Sequence, residues 1–347
     1  MRPVLLICLL ASASSAQWLT HPTPGIPRTA DGKPNLTALA PRAPDGKTDL
    51  SGTWSSPSDR YYNNIAVDLK PEDVMPQADA LHRQRLRDFG KDSMESLCLP
   101  LGPAAMTGPF RDFKILQTPA SIVILFNDLT YRQIFLDGRQ LEKEPNPSWM
   151  GYSVGHWEGD TLVVESNGYT PRVWLDWDGH PHSEDLRITE RFRRIDVGHM
   201  EIRMTLDDPK NYARPWTVTL PQELMVDTEM LEFVCNENEK DRPHLNAKGP
   251  EISETPVPDA TLAKYVGFYD FNDDVNGNGN SHSVEISASH GALYWDQDGA
   301  GKQRLLPFSE TAFSLSGTAV EFVAGGGPAT HLLIKQAEGD IKAVRRE

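Results

Sequence analysis

The sequence is poor in cysteine and in basic residues, and it has no long apolar run. Three cysteines occur in 347 residues, and 34 Lys and Arg stand against 49 Asp and Glu, which gives a net charge of −15 at neutral pH. Such a surface repels nucleic acid and anionic lipid. No apolar stretch reaches the roughly 20 residues that a membrane-spanning helix needs. We therefore expect no nucleic-acid partner and no membrane insertion, while the oligomeric state stays open.

Two common signatures of nucleotide and metal sites are missing as well. The chain has no phosphate-binding glycine loop and no H-E-x-x-H zinc motif. Residues 274–285 do fit the EF-hand loop expression, but residues 284–286 have the pattern of a strand where that motif requires a helix. We interpret this segment as a hairpin loop and predict no cofactor and no resident metal.

The first sixteen residues have the pattern of a secretory signal peptide. Arg2 precedes a short apolar run at 4–10, and small residues follow up to Ala16. We predict cleavage after Ala13 or Ala16, and export to the periplasm or the extracellular space.

Two cysteines, Cys98 and Cys235, follow the predicted signal peptide. In an exported protein such a pair is most simply a disulfide. The alternative is two buried free thiols. Neither cysteine belongs to a C-x-x-C pair, which disfavours a zinc site.

Changes in composition divide the rest of the chain into four segments. Residues 17–58 are rich in Pro, Gly and Asp and contain a repeat, PRTADGK at 27–33 and PRAPDGK at 41–47. Because Asp-Gly favours turns, we predict an extended arm lying on the body of the protein. A main β-domain at 59–247, a linker at 248–258 and a small β-domain at 259–347 follow.

Period-two alternation dominates the main domain after a single predicted helix at 76–89, which begins at Pro76 and stops before Gly90. Many short strands with few helices predict a mainly antiparallel β fold, a barrel or a sandwich. The predicted strands are 113–118, 121–126, 130–136, 152–157, 161–166, 186–195, 199–206, 216–220 and 231–235.

Two resemblances add to this interpretation. Residues 41–54, 149–164 (WMGYSVGHWEGDTLVV), 186–194 (LRITERFRR) and 233–238 (FVCNEN) resemble a family of uncharacterised exported bacterial proteins, common in Acidobacteria. That resemblance implies export and no particular activity. Residues 265–269 (YVGFY), 291–293, 306–307 and 320–322 are similar to the lipocalin-like domain that follows bacterial serine hydrolases of the β-lactamase class. The nucleophile motif S-x-x-K of those hydrolases is absent, so their catalysis is not implied.

Glu190 is the strongest catalytic candidate because it interrupts the apolar face of a predicted strand. Pairing Ile195 with His199 places Glu190 opposite Met204 and puts Gly198 in the left-handed position of a three-residue turn. The same register pairs Ile188 with Leu206, Phe192 with Ile202, Arg187 with Asp207 and Arg193 with Glu201. Apolar residues then meet on one face and opposite charges on the other, which favours this register.

A carboxylate on an apolar face must find a partner or change its pKa. One interpretation makes Glu190 a general acid or base with a raised pKa. The other makes it half of a buried ion pair with Arg132, which also lies on an apolar strand face. Glu232, between Met230 and Val234, is predicted as a second inward carboxylate that would favour acid–base chemistry.

The loop 174–185 is the second candidate site, because loops on a β scaffold often carry function. Trp174 and Trp177 can stack on a sugar ring or pack on the end of the barrel. His180 and His182 form an H-x-H pair that can ligate a metal, completed by an aspartate of the loop. The alternative, which we favour over the metal site, is a solvated acidic loop.

These observations lead to three hypotheses about function. The first is an acid–base enzyme, a lyase, isomerase or hydrolase, that acts on a neutral or carbohydrate-derived small molecule inside the barrel, with loop 174–185 as a lid. The second is a non-catalytic binding protein whose barrel holds an apolar or glycan ligand. The third is a structural or interaction role for the arm and the C-terminal domain.

Overall fold

The computed structural model describes residues 22–58, 60–61, 63–88, 90–104, 111–237, 255–271, 282–299, 301–315, 318–335 and 339–346. Within these residues the chain forms two closed β-barrels in series. The mainly antiparallel β fold predicted from period-two alternation is confirmed, and the barrel rather than the sandwich is the form that it takes. The predicted signal peptide, most of the predicted linker and residues 274–281 of the EF-hand-like segment lie outside the described residues. Residues 284–286 lie in a strand (Ser283–Ser289), as predicted.

The first barrel contains nine strands among the described residues. They are β1 (Gly52–Ser55), β2 (Phe113–Gln117), β3 (Ser121–Phe126), β4 (Tyr131–Phe135), β5 (Tyr152–Glu158), β6 (Thr161–Asn167), β7 (Arg187–Arg194), β8 (His199–Asp207) and β9 (Trp216–Leu224). Strand β1 comes from the end of the segment predicted as an arm. The arm therefore gives way to the barrel at Gly52, earlier than composition suggested.

The strands of the first barrel follow each other around it in chain order. Neighbouring strands pair antiparallel, except that β4 and β5 run parallel through Ile134 opposite Ser153 and Phe135 opposite Val154. The barrel closes where Trp54 of β1 meets Leu224 of β9. Apolar side chains of all nine strands fill the interior, because alternate residues of each strand face inward.

The second barrel is an antiparallel meander of eight strands among the described residues. They are β10 (Gly267–Phe271), β11 (Ser283–Ser289), β12 (Ala292–Gln297), β13 (Gln303–Pro307), β14 (Ala312–Leu315), β15 (Thr318–Ala324), β16 (Ala329–Ile334) and β17 (Ile341–Arg345). A short helix α2 (Asp259–Leu262, numbered after α1 below) precedes them. Tyr265, Tyr269, Phe313 and Phe322 pack ring against ring in the interior, with centroids 4.5–6.1 Å apart.

The register predicted for the β7–β8 hairpin is confirmed at every predicted pair. Glu190 lies opposite Met204, and Ile195 donates its N–H to the carbonyl of His199 at 2.8 Å. The conformation predicted for Gly198 is wrong, since its φ is not left-handed. A glycine is needed there for a different reason, because a Cβ would lie 2.5 Å from the Cβ of Leu36 in the arm.

Helix α1 (Pro76–Arg87) matches the predicted helix, with Pro76 at its first position and Gly90 just beyond its end. Gly90 has a φ of +62°, a conformation that suits glycine after a helix. The buried side chains of α1 are Ala78, His82 and Leu86, spaced four residues apart on one face. A single 3-10 turn, Pro71–Asp73, precedes the helix.

The two repeats of the arm fold into the same turn. In the first copy Gly32 donates its N–H to Thr29, and in the second Gly46 donates to Ala43, both at 2.9 Å. Both glycines have a φ of +82°, which accounts for the recurring Asp-Gly. An ion pair between Arg42 and Asp160 ties the second turn to the barrel, as expected of an arm lying on the body.

Cys98 and Cys235 form the predicted disulfide, with their Cα atoms 5.4 Å apart. It closes a loop of 137 residues that contains strands β2 to β9. The segment just before Cys98 lies over loop 174–185, since Ser93, Met94 and Glu95 contact the same small space as Trp177. The disulfide therefore anchors the chain that covers this loop.

We expect removal of the disulfide to destabilise the protein. In the chain-entropy model a loop of this length is worth about 4–5 kcal/mol, an upper value. The double variant Cys98→Ser/Cys235→Ser should melt at a lower temperature than the wild type. A reducing agent should lower the melting temperature of the wild type and leave the double variant unchanged. An equal effect of reductant on both proteins would contradict the role assigned to this bond.

Candidate functional site

Glu190 and Arg132 form a buried ion pair across the interior of the first barrel. The side chains are 0% and 2% exposed. Arg132 Nη1 donates to Glu190 Oε1 at 3.0 Å, and Nη2 donates to Oε2, so the contact is bidentate. The guanidinium also donates to Ser153 Oγ at 3.1 Å and to Ser166 Oγ at 2.8 Å. Burial alone would lower the pKa of Arg132, but the Glu190 charge and its hydrogen bonds raise it above its usual value.

The space around this ion pair is too small for a substrate. Phe113, Phe126 and Phe192 are among the side chains that surround it, and they leave a cavity of about 10 Å³. A single water needs about 10–15 Å³. The structural interpretation of Glu190 is therefore favoured over the catalytic one, since nothing larger than a water reaches the carboxylate.

Glu232 does not face the barrel interior, so its assignment as a second inward carboxylate is wrong. The predicted strand 231–235 does not form, and Glu232 is exposed together with Leu231, Phe233 and Val234. The physical reason is that β1 pairs with β9 and closes the barrel. Residues after β9 then find no free strand edge to join, whatever their alternation.

Loop 174–185 is buried along most of its length, so it is neither a solvated acidic loop nor an open lid. Trp174 is 7% exposed, and the guanidinium of Arg85 lies 4.5 Å from its ring centroid. Trp177 has Arg111 at 5.4 Å. Because arginine already covers these rings, the two tryptophans pack on the barrel end rather than offering a platform to a sugar.

The two histidines of the H-x-H pair point to different neighbours. His182 Nδ1 donates to the carbonyl of Ser183 at 2.8 Å, and its ring meets Tyr169 edge-on at 6.2 Å. His180 instead contacts Asp176. Across the described ranges no group of three or more His, Cys, Asp or Glu side chains is arranged to hold a metal ion.

Asp176 and His180 form a hydrogen-bonded dyad. Asp176 Oδ2 lies 2.6 Å from His180 Nδ1 and also accepts the N–H of Ile65 at 2.9 Å. Asp176 Oδ1 accepts the N–H groups of Gly179 and His180 at 2.9 and 3.0 Å. Burial lowers the pKa of His180, but the charge and hydrogen bond of Asp176 outweigh it, and the net result is a raised pKa.

His82 of α1 stacks on His180, with ring centroids 3.8 Å apart. Burial, and then the neighbouring His180, Arg304 and Arg85, hold the pKa of His82 well below its usual value. His82 was not among the residues predicted from the sequence. The signal that could have found it is a lone histidine among the inward positions of α1, spaced four residues from Ala78 and from Leu86.

Asp178 lies behind the dyad as a second buried carboxyl. Burial, followed by repulsion from Asp176, raises its pKa to about 8, while His180 and a hydrogen bond with Gln303 of β13 act in the opposite direction. At neutral pH this carboxyl therefore holds its proton, unlike an ordinary aspartate. Gln303 belongs to the second barrel, so the buried cluster reaches across the contact between the barrels.

A cleft of about 850 Å³ lies between the two barrels beside the stacked histidines. Asn64 Nδ2 donates to the carbonyl of Lys302 at 2.8 Å, and Arg304 Nη1 pairs with Asp79 at 3.2 Å, so both barrels build its walls. The basic and imidazole side chains that line it include Lys70, His82, Arg83, His180, Lys302 and Arg304. Its volume falls in the range typical of small-molecule sites.

Comparisons with known proteins do not assign a function to this site. No family model matches the chain, and no curated protein matches it either. Of the helices in the described part of the chain, none is both long and apolar enough to cross a membrane. The site must therefore be interpreted from its own chemistry.

We expect Glu190→Gln to destabilise the protein by about 3–5 kcal/mol, because it strands the buried charge of Arg132. The matched control is Glu158→Gln, which breaks the exposed contact with Arg191 and should cost far less stability, because solvent screens an exposed ion pair. Replacing both buried partners, with Glu190→Leu and Arg132→Met, should recover part of the loss. Denaturant unfolding measures all three, and a Glu190→Gln protein as stable as the control would contradict the ion-pair assignment.

We expect Asp178 to make stability depend on pH. Its pKa is about 8 when folded and near 3.9 when unfolded, so between pH 4 and 8 the folded state holds a proton that the unfolded state releases. Its contribution to stability is thus greatest below pH 4 and falls as the pH rises towards 8. Asp178→Asn cannot titrate.

The melting temperature of the wild type minus that of Asp178→Asn should therefore decrease from pH 5 to pH 8. One kcal/mol moves the melting temperature of a domain of this size by about 2–4 °C, and we expect a change of at least that size. A difference that is constant with pH would show that Asp178 is already ionised in the folded protein at pH 5.

Proposed function

We propose that the protein is an exported acid–base enzyme that acts on a small molecule in the cleft between the two barrels, with His180 as general base. The observation that carries this proposal is the Asp176–His180 dyad beside a cleft of substrate size. The sequence suggested a substrate inside the first barrel. The packing around Glu190 leaves no room for a substrate inside the barrel, so we place the substrate in the cleft.

The dyad supports this role by fixing one form of the imidazole. A carboxylate that accepts the Nδ1 proton leaves Nε2 to exchange a proton with a substrate. The raised pKa of His180 makes it a better base near neutral pH. Protonated Asp178 adds no second full negative charge behind the imidazole, so the base strength of His180 depends mainly on Asp176.

The reaction class that suits such a group is one that begins with proton abstraction, as in many lyases and isomerases. Hydrolysis by an activated water is the remaining option, since a lone base can activate a water directly. Neither requires a cofactor.

A non-catalytic binding protein is the second candidate. It is favoured by the burial of both imidazoles, since His180 is 5% and His82 is 7% exposed. Groups this enclosed can orient a ligand without exchanging protons with it. In this alternative the same cleft holds the ligand and the dyad is scaffold.

We also propose that the chain belongs to the uncharacterised exported bacterial family that its motifs resemble, and that it resides in the periplasm or outside the cell. The disulfide supports an oxidising compartment. The eight-stranded up-and-down closure of the second barrel supports its assignment as a lipocalin-like domain.

Proton abstraction can be tested with a panel of candidate substrates. The mature protein is incubated in D₂O with sugars, sugar acids and hydroxy acids, and proton NMR follows deuterium exchange and product formation. We expect at least one compound to react, with the rate falling about 10²–10⁴-fold in His180→Gln and substantially in Asp176→Asn.

The matched control is His156→Gln, which alters an exposed histidine of β5 and should leave the rate unchanged. Full turnover by a folded His180→Gln protein would refute the role of His180. Compounds that raise the melting temperature but never react would favour the binding protein instead.

A further inference from the structure

The cleft between the barrels differs in charge from the rest of the protein. The chain as a whole carries −15, yet among the described residues that line the cleft four are basic and two, Glu72 and Asp79, are acidic. Three histidines add to this set. A basic cleft in an acidic protein focuses a positive electrostatic potential and raises the local concentration of anions.

Arg304 shares its carboxylate partner with a second arginine of the cleft. Asp79 lies 3.0 Å from Arg83 and 3.2 Å from Arg304, so a single carboxylate contacts both guanidinium groups. Glu72 approaches only His290, at 3.9 Å, among the described residues. Lys302 lies on the same cleft wall and adds a positive charge to it.

Two buried nitrogen atoms at the cleft have no hydrogen-bond partner within the described part of the chain. They are His82 Nε2, on a residue that is 7% exposed, and Arg304 Nε. Buried polar atoms are normally satisfied, so two at one cleft, one from each barrel, point to a missing ligand.

We propose that this cleft binds the carboxylate or phosphate group of a small molecule, held between Arg304 and Lys302 of the second barrel and His82 of the first. Arg304 Nε–H donates to an anionic oxygen, and Lys302 supplies a second charge. His82 Nε2 supplies a third polar contact, to an oxygen atom of the same molecule. The binding site is then complete only when both barrels are present.

This inference deepens the proposed function, because it names the substrate class of the same cleft and rests on the substrate binding there. It also gives the second barrel a role in recognition. His180 stacks on His82, so an anion bound at His82 would place the neighbouring carbon atoms of the ligand near the general base.

The test is calorimetric titration of the full mature protein, at low ionic strength and neutral pH, with inorganic phosphate and separately with malonate. We expect saturable binding of at least one of the two anions, and the tighter one identifies phosphate or carboxylate as the preferred group. Binding should weaken by about tenfold or more in Lys302→Gln, whose side chain can be changed without breaking the Asp79 contact, and in Arg304→Gln.

The matched control is Arg346→Gln, which removes a surface arginine paired with Asp270 elsewhere on the second barrel and should leave binding unchanged. Absence of saturable binding in the wild type, unchanged binding in Lys302→Gln, or an equal loss in Arg346→Gln would each overturn the proposal. Failure of the proposed function is seen separately, as anion binding that persists while His180→Gln has no effect on turnover.

Discussion

The carboxylate of Asp176 is the interaction on which the candidate site depends. It accepts three backbone N–H groups, from Ile65, Gly179 and His180, and also contacts the imidazole of His180. A loop that must be buried needs such an acceptor, since its backbone donors have no strand partner. Asp176 thus fixes the conformation of loop 174–185 and the orientation of His180. Through Ile65 it also connects the segment before α1 to this loop.

The buried charges of the first barrel have a structural role that differs from that of Asp176. Arg132 and Glu190 satisfy each other and two serines, so the interior tolerates ions without water. Such pairs contribute little net stability compared with apolar side chains, but losing one partner is costly. The pair therefore specifies the packing of β4 against β7, and the chemistry available to a ligand lies outside the barrel.

The confirmed predictions rest on the alternation of apolar and polar residues within neighbouring strands. The predictions that were wrong or missing depend on contacts between residues distant in sequence. The β7–β8 register follows from two alternating strands joined by a short turn, so neighbouring residues determine it. Glu232 was misplaced because alternation does not show that β1 has already occupied the edge of β9. Gly198 and His82 owe their roles to Leu36 and His180, which no local pattern connects to them.

The parallel pairing of β4 with β5 has a topological consequence. In a closed barrel whose strands follow chain order, alternating directions can match at the seam only if the number of strands is even. With nine described strands, one parallel pair restores the match and lets β1 and β9 meet antiparallel. Residues 136–151, which connect β4 to β5, must then return along the full height of the barrel. A hairpin turn cannot make such a connection. This connection is a requirement of parity, since a barrel of nine strands in chain order that closes antiparallel must contain at least one such crossover.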